Sequence, residues 1–420
     1  MKRFSQIKWG KTGRRLRRAR RTFMVISVVF VLCIIVFNSM QSEGVFGEGG
    51  IFLTNSTSPG DQLRDNVEET LRDIDLGDLD DIVAGLDGGR GLFGTGSFGD
   101  RVRRILGGEF QTDYPNMFIA IMALFMGSVM DVMPIIALII GIAILSGFMK
   151  NLKVESGGDG VRNVVHFVTY AAVVIIVMAA VGMLVATVGS TLASMRRQMD
   201  IVFPILLTLM VAVGGGASAG VYQPAVAVLS NGVMQIFSAV VMPIFIITLV
   251  FSVVGNLSGN TRLDRFVGFF TSAYKWIIGL VFTVFLAFLT VQGISAGTHD
   301  GISIRAARFT IGSYIPYLGG YLSQGFDLVM ASSILIKNAI GVAGLYLLFA
   351  VVLGPILKIA VFSLGLKLAA AITQPIGDER ISNFLGTVNK SFSMLSAVLI
   401  GAAFMYFITI GLVLVTGNFI

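Results

Sequence analysis

Residues 288–345 read FLTVQGISAGTHDGISIRAARFTIGSYIPYLGGYLSQGFDLVMASSILIKNAIGVAGL. An apolar run enters this stretch through Gln292-Gly293, and another leaves it after Lys337-Asn338. What lies between is too polar for a membrane span and too apolar for a loop in water. Pro316 starts a turn, Gly319, Gly320 and Gly325 interrupt the pattern, and Asp327 and Lys337 sit inside it. Irregular backbone is tolerated at membrane depth only where protein or water covers its polar groups. The stretch is therefore expected to hold an interrupted, partly re-entrant membrane element.

The composition points the same way. Hydrophobic residues make up 55% of the 420, charged residues only 13%, and the mean hydropathy is +0.84. Soluble domains carry about 25% charged residues, so the fold class is an all-α polytopic membrane protein. Fifty glycines suit close helix packing in a bilayer. The net charge of +7 is segregated: the arm Lys2 to Arg21 is strongly basic, and residues 38–115 hold 15 of the 24 acids. Such asymmetry sets membrane topology and is not a nucleic-acid footprint. Cys33 is the single cysteine, so an internal disulfide and a thiolate metal site are excluded. His166 and His299 are too few for a histidine-rich metal site.

Three regions follow along the chain. Residues 1–37 are a basic arm and a signal peptide or anchor, with the short apolar run Phe23–Phe37. Residues 38–115 are an acidic exported region. Within it Leu63, Val67, Leu71 and Ile74 recur at helical spacing, which predicts one amphipathic helix over Asp61–Leu86, and Arg101–Phe110 reads as a short interfacial helix. Residues 116–420 are the polytopic domain. Met117–Met130 is too short to span alone and stops at Asp131, which reads as an interfacial helix start beside Pro134. The expected spans are Val132–Met149, Val164–Val188, Gly232–Val254, Val267–Val291, Ala339–Leu357 and Leu395–Val415.

The polytopic domain contains a repeat. Arg196, Pro204 and Pro243 match Arg308, Pro316 and Pro355 at one fixed register, which also pairs Gly232 with Gly344 and Phe237 with Phe349. The copies run over about 196–307 and 308–420, each an interrupted element plus two spans. The interrupted elements are 204–230 and 316–336, each long enough for two half-length helices. Broken helices in corresponding halves mark the path in transporters. The path-lining or gating candidates are therefore Pro204, Gly214, Gly215, Gly216 and Pro224 in the first copy. In the second they are Gln292, Asp300, Arg305, Arg308, Pro316, Gly319, Asp327, Lys337 and Asn338. Asp327 and Lys337 are expected to face protein or water, and to meet only across a re-entrant hairpin. Kinked spans that use glycine only for packing stay open beside the path reading.

Catalytic motifs are absent from the sequence: G-x-x-x-x-G-K-[ST], G-x-G-x-x-G between strand and helix, H-E-x-x-H and G-x-S-x-G do not occur. Ser332-Ser333 lacks a nearby base, and His299-Asp300 reads as a polar turn. No catalytic residue, metal or cofactor is expected.

VFTVFLAFLTVQG at 281–293, the DG-x(3)-R-x-ARF pattern at 300–309 and IPYLGGYLSQGFDLVMASSILIKN at 315–338 closely resemble the stage III sporulation protein AE family of endospore-forming Firmicutes. AITQPIGD at 371–378, Thr416-Gly417-Asn418, the Pro204 helix with its glycines and Val241-Met242-Pro243 fit as well. The resemblance covers about 115–420 and weakens before 200.

The resemblance implies a multi-pass, non-enzymatic protein of the mother-cell membrane around the forespore, part of a channel or secretion-like apparatus joining the two cells. It implies partners from the same operon, including a secretion-type ATPase and ring proteins of the intermembrane space. The basic arm places the N-terminus in the cytoplasm and residues 38–115 on the far side. Two alternatives remain: a stand-alone secondary transporter of small solutes with Asp327 coupling to an ion, and a membrane scaffold that recruits the complex.

Overall fold

The computed structural model describes residues 59–86, 96–107, 114–151, 159–258, 262–296, 319–375 and 379–416. The basic arm, the signal segment and Asp300, Arg305, Arg308 and Pro316 lie outside them. The part of the chain from Asp61 onward forms one compact unit.

Three short helices precede the long ones: α1 (Pro59–Asp73), α2 (Gly77–Ala84) and α3 (Phe98–Leu106). The single amphipathic helix expected over Asp61–Leu86 is two helices. It breaks at Ile74–Leu76, where the Asp75 carboxylate accepts from the Gly77 N–H at 3.0 Å. A short acidic side chain that bonds nearby main chain competes with the helical ladder. Val67 and Leu71 are buried as the spacing required, and Leu79, Ile82 and Val83 carry the buried face onward.

The third helix begins with a capping box. Ser97 Oγ accepts from the Asp100 N–H, and the Asp100 carboxylate accepts from the Ser97 N–H. Those bonds, the main-chain one first, hold the Asp100 carboxyl below its ordinary value. Phe98, Val102 and Ile105 are buried, and the Arg101 guanidinium lies 4.1 Å over the Tyr346 ring. Its burial there lowers the Arg101 pKa.

The remaining helices are long: α4 (Tyr114–Asn151), α5 (Asp159–Ala212), α6 (Gly216–Ala227), α7 (Met242–Ser258), α8 (Arg262–Ala296), α9 (Gly319–Thr373) and α10 (Glu379–Val415). Between α6 and α7 the chain stays helical through two π-helical segments, Val228–Val233 and Phe237–Val241. Among the described residues, six stretches are long and apolar enough to cross a membrane: 117–148, 167–212, 216–255, 265–291, 323–373 and 380–415. Each expected span falls inside one continuous helical run, and Gly232–Val254 passes through both π-helical segments before entering α7.

Met117–Met130 is not a separate short element. It runs on through Asp131 and Pro134 as one 38-residue helix. Asp131 is a mid-helix residue, not a helix start, and its carboxylate meets Lys358 Nζ at 3.2 Å. An ion pair removes the reason for the helix to stop, and Pro134 forfeits only one ladder bond.

Helices α9 and α10 form the interior. Ile340, Ala343, Leu347, Leu395, Leu399, Ala402 and Met405 are all fully buried. The backbones approach closely: a Cβ at Gly365 would stand 2.6 Å from the Ile136 side chain, and one at Gly401 2.9 Å from the Phe282 ring. Apolar side chains of α4 such as Phe118, Met130 and Phe148 are more than half exposed. A helix with an exposed apolar flank of this kind belongs in lipid.

Candidate functional site

The expected interruption in 204–230 is present and sharply placed. Helix α5 runs through Pro204 to Ala212. Gly214 then takes φ +87°, a left-handed backbone that side chains with a Cβ rarely adopt. The Gly215 N–H donates to Met210 O at 2.9 Å and the Gly214 N–H to Val211 O at 2.8 Å. This pair of reversed bonds is the Schellman ending, which satisfies carbonyls the helix leaves open. Gly215 O then accepts from the Ala219 N–H at 2.8 Å as α6 begins.

Contacts away from the break show that the chain doubles back. Arg196 Nη2 donates to Asn231 Oδ1 at 2.7 Å, and Ser230 Oγ donates to the Asp200 carboxylate. Arg196 Nε also lies 3.9 Å from that carboxylate. The end of α5 and the start of α6 are therefore the two arms of a helical hairpin with its tip at Val213–Gly215.

The second expected interruption is not observed among the described residues. Residues 319–336 are the first turns of the 55-residue α9, unbroken through Gly319, Gly320 and Gly325. A glycine inside a helix costs about 1 kcal/mol, and the packing of α9 along α5, α4 and α10 offsets it. On one continuous helix, Asp327 and Lys337 lie roughly 15 Å apart along the axis. They do not meet, and the expected hairpin between them is corrected to a straight segment.

Lys337 instead serves the end of α10. It is fully buried, and its Nζ donates to Thr416 O at 2.6 Å, with Leu414 O at 3.4 Å and Val413 O at 3.5 Å. The last carbonyls of a helix have no partner within it and carry partial negative charge, so a lysine there satisfies both bonds and dipole. Tyr222 Oη, from α6, lies 2.9 Å from Thr416 Oγ1. The hairpin tip joins the same assembly, with Val213 packed against Met330, Phe326 and Ile334 of α9.

One end of the bundle thus gathers Gly214, Gly215 and Gly216 at the tip, Tyr222 near Pro224, and Asp327, Lys337 and Asn338 on α9. Asn338 is 2% exposed, and its Oδ1 has no hydrogen-bond partner among the described residues. Asp327 is half-buried beside Phe326. Pro204 stands apart, exposed and about 14 Å back along α5. Gln292 lies in the last turns of α8, and Gly319 opens α9.

Sequence reasoning missed Tyr222, Gln198, Asp200 and Asn231. Gln198 is fully buried and donates from Nε2 to Gly344 O at 2.7 Å, tying α5 to α9. Its signal was a polar residue directly after Arg196-Arg197 and two before Asp200, in a helix that is otherwise apolar. Among the described residues, no three histidine, cysteine, aspartate or glutamate side chains converge to hold a metal ion. The arrangement offers a buried hydrogen-bonded joint and a polar hairpin.

Comparison with known proteins gives the same family. The family model described as Stage III sporulation protein AE matches residues 97–417. A curated relative, Stage III sporulation protein AE of Bacillus subtilis (strain 168), is 27% identical over 258 residues, which cover 61% of this chain and 65% of the relative. No solved structure matches the chain. From Ser97 through Gly417, the chain belongs to the stage III sporulation protein AE family.

Proposed function

We propose that this protein is a non-enzymatic membrane component of a sporulation-specific channel or secretion-like complex between mother cell and forespore, and forms part of its membrane core or gate. The observation that carries this reading is the broken hairpin. In a bundle whose helices are apolar enough to cross a membrane, one arm-and-return element presents polar side chains and ends on the joint of Tyr222, Lys337 and Thr416. Its partners in this reading are the other proteins of the stage III sporulation A operon, including a secretion-type ATPase and intermembrane ring proteins.

The topology fits the mother-cell membrane. The last turns of α4, α7 and α9 and the first turns of α5, α8 and α10 lie at one end of the bundle, and Lys150, Arg162, Arg262, Arg265 and Arg380 fall in them. The positive-inside rule makes that end cytoplasmic, with the N-terminus on the same side and residues 38–115 opposite. The duplication is supported by matched boundaries: α8 starts at Arg262 and α10 at Glu379, beside its counterpart Arg380. The path or gate candidates are those at the joint and the tip, Gly214, Gly215, Gly216, Pro224, Asp327, Lys337 and Asn338.

The test is flux through vesicles holding the purified full chain alone. A core component that needs its complex passes no small solute by itself. Robust flux that Asp327→Asn abolishes overturns this reading in favour of a stand-alone transporter.

A further inference from the structure

The outward surface of the hairpin differs from its neighbours at the same height. Thr169 Oγ1 donates to Ser146 Oγ at 3.1 Å, which sets α4 and α5 side by side and antiparallel. Equal steps from that bond reach Met122 on α4 and Ala193 on α5. Around that height α4 exposes Phe118, Met122, Met126 and Met130. The exposed residues of α5 are Ser190, Ala193, Arg197 and Asp200, followed by Pro204 and Thr208.

The other flank gives the same contrast. Phe282 of α8 lies against Phe404 of α10, and Tyr406, two residues on, lies against Phe203 of α5. At that height α8 exposes Leu280 and Val284. The returning arm shows Asn231 outward in the first π-helical segment and Gln235 outward in the α-helical turn between the two. Such segments recur at functional sites. From Ala186 to Ala239 the exposed large apolar side chains are Val211 and Val228 alone among the described residues. The next ones on either arm, Met183 and Val240, mark where the apolar exterior resumes.

Two flanks at this height therefore suit lipid, and the face between them does not. Arg196 and Asp200 are 41% and 50% exposed on it, paired to each other and to the opposite arm. Charges at membrane depth face water or protein because lipid does not solvate them. We propose that this face, carried by Ser190, Arg197, Asp200, Thr208, Asn231 and Gln235, lines a water-filled path for polar solutes. The inference rests on the membrane placement of the proposed function and assigns its wall to residues on both arms of the hairpin. The path runs along the outside of the hairpin, and a wall on its far side completes it.

The experiment is cysteine labelling of the full chain in open membrane sheets that contain the whole complex. Cys33→Ser supplies the background, since Cys33 is the single cysteine. Single cysteines replace Ser190, Thr208 and Gln235 on the face, and Met122, Met126 and Val284 on the flanks. With a membrane-impermeant maleimide, the face positions should react at least about 10-fold faster than the flank positions. Equal rates overturn the proposal, as does slow reaction at Ser190 with specific cross-linking there between two copies of the chain. Fast labelling in membranes that pass no solute leaves this assignment standing and removes the channel reading. Slow labelling in membranes that do pass solute does the reverse.

Discussion

Lys337 on α9 donates to the main-chain oxygen of Thr416, 79 residues further along the chain, at 2.6 Å and out of contact with water. Removing the ammonium leaves the carbonyls at the end of α10 buried with one donor fewer, a loss of about 1–3 kcal/mol. Lys337→Met should destabilise the detergent-solubilised protein by that amount, read as a lower thermal midpoint. Lys337→Ala should lower it further, because a cavity adds to the lost bond. A Lys337→Met protein as stable as the wild type would sink the capping role.

The tip of the hairpin sets a second expectation. Gly214 holds φ +87°, and a Cβ in left-handed backbone costs roughly 1–2 kcal/mol. Gly214→Ala should destabilise by that much. Gly216→Ala, where the added Cβ meets nothing within 4 Å, should be near neutral. Thermal unfolding of the two variants side by side decides it, and equal midpoints would count against the turn.

The docked α3 should respond to acid. Bonds from Ser97 hold the Asp100 carboxyl below its ordinary 3.8, so its contribution is complete above that value and is lost as pH falls through the lower, folded one. A fluorophore on a cysteine replacing Arg103 should report steady docking from neutral pH down to about 3.8 and release below it. Asp100→Asn should remove that dependence. Ser97→Ala should weaken the helix by about 1 kcal/mol at neutral pH.

The Asp131–Lys358 pair predicts an ordering. Either single change, Asp131→Asn or Lys358→Met, leaves one charge on a flank that also shows Met130 and Met133. The double variant should therefore be more stable than at least one of the singles, with a coupling of order 1 kcal/mol. Strict additivity in the double-mutant cycle would show that the contact contributes nothing.

Much of this fold was legible in the residues. Runs such as Val164–Val188 and Leu395–Val415 have no polar partner to seek, so each becomes helix and joins a bundle. The break near Gly214 was legible because three consecutive glycines meet Pro224 downstream, and one of them takes a backbone shape other residues avoid. Gly319, Gly320 and Gly325 carry the same local signal, yet α9 passes through them unbroken. Gly325 is itself exposed, and the buried face of α9 begins only at Met330, beyond the reach of a local signal. Asp131 misled for a related reason: its partner Lys358 is 227 residues away. Lys337 was flagged as a charge needing a partner, but that partner proved to be main chain at the end of another helix, which no side-chain pattern encodes.

The unbroken α9 has a mechanical consequence. Its 55 residues, with Pro355 among them, make a continuous helix about 80 Å long along its axis. Phe326, Met330 and Ile334 near one end bear on the hairpin tip, and Lys367 lies near the other. A rod pivoting about its middle by five degrees swings each end by roughly 3.5 Å, a length that follows from its rise per residue. Two distant ends linked in this way work as a lever: a push on the turn after Thr373 is felt at the tip without any relay of side chains between them.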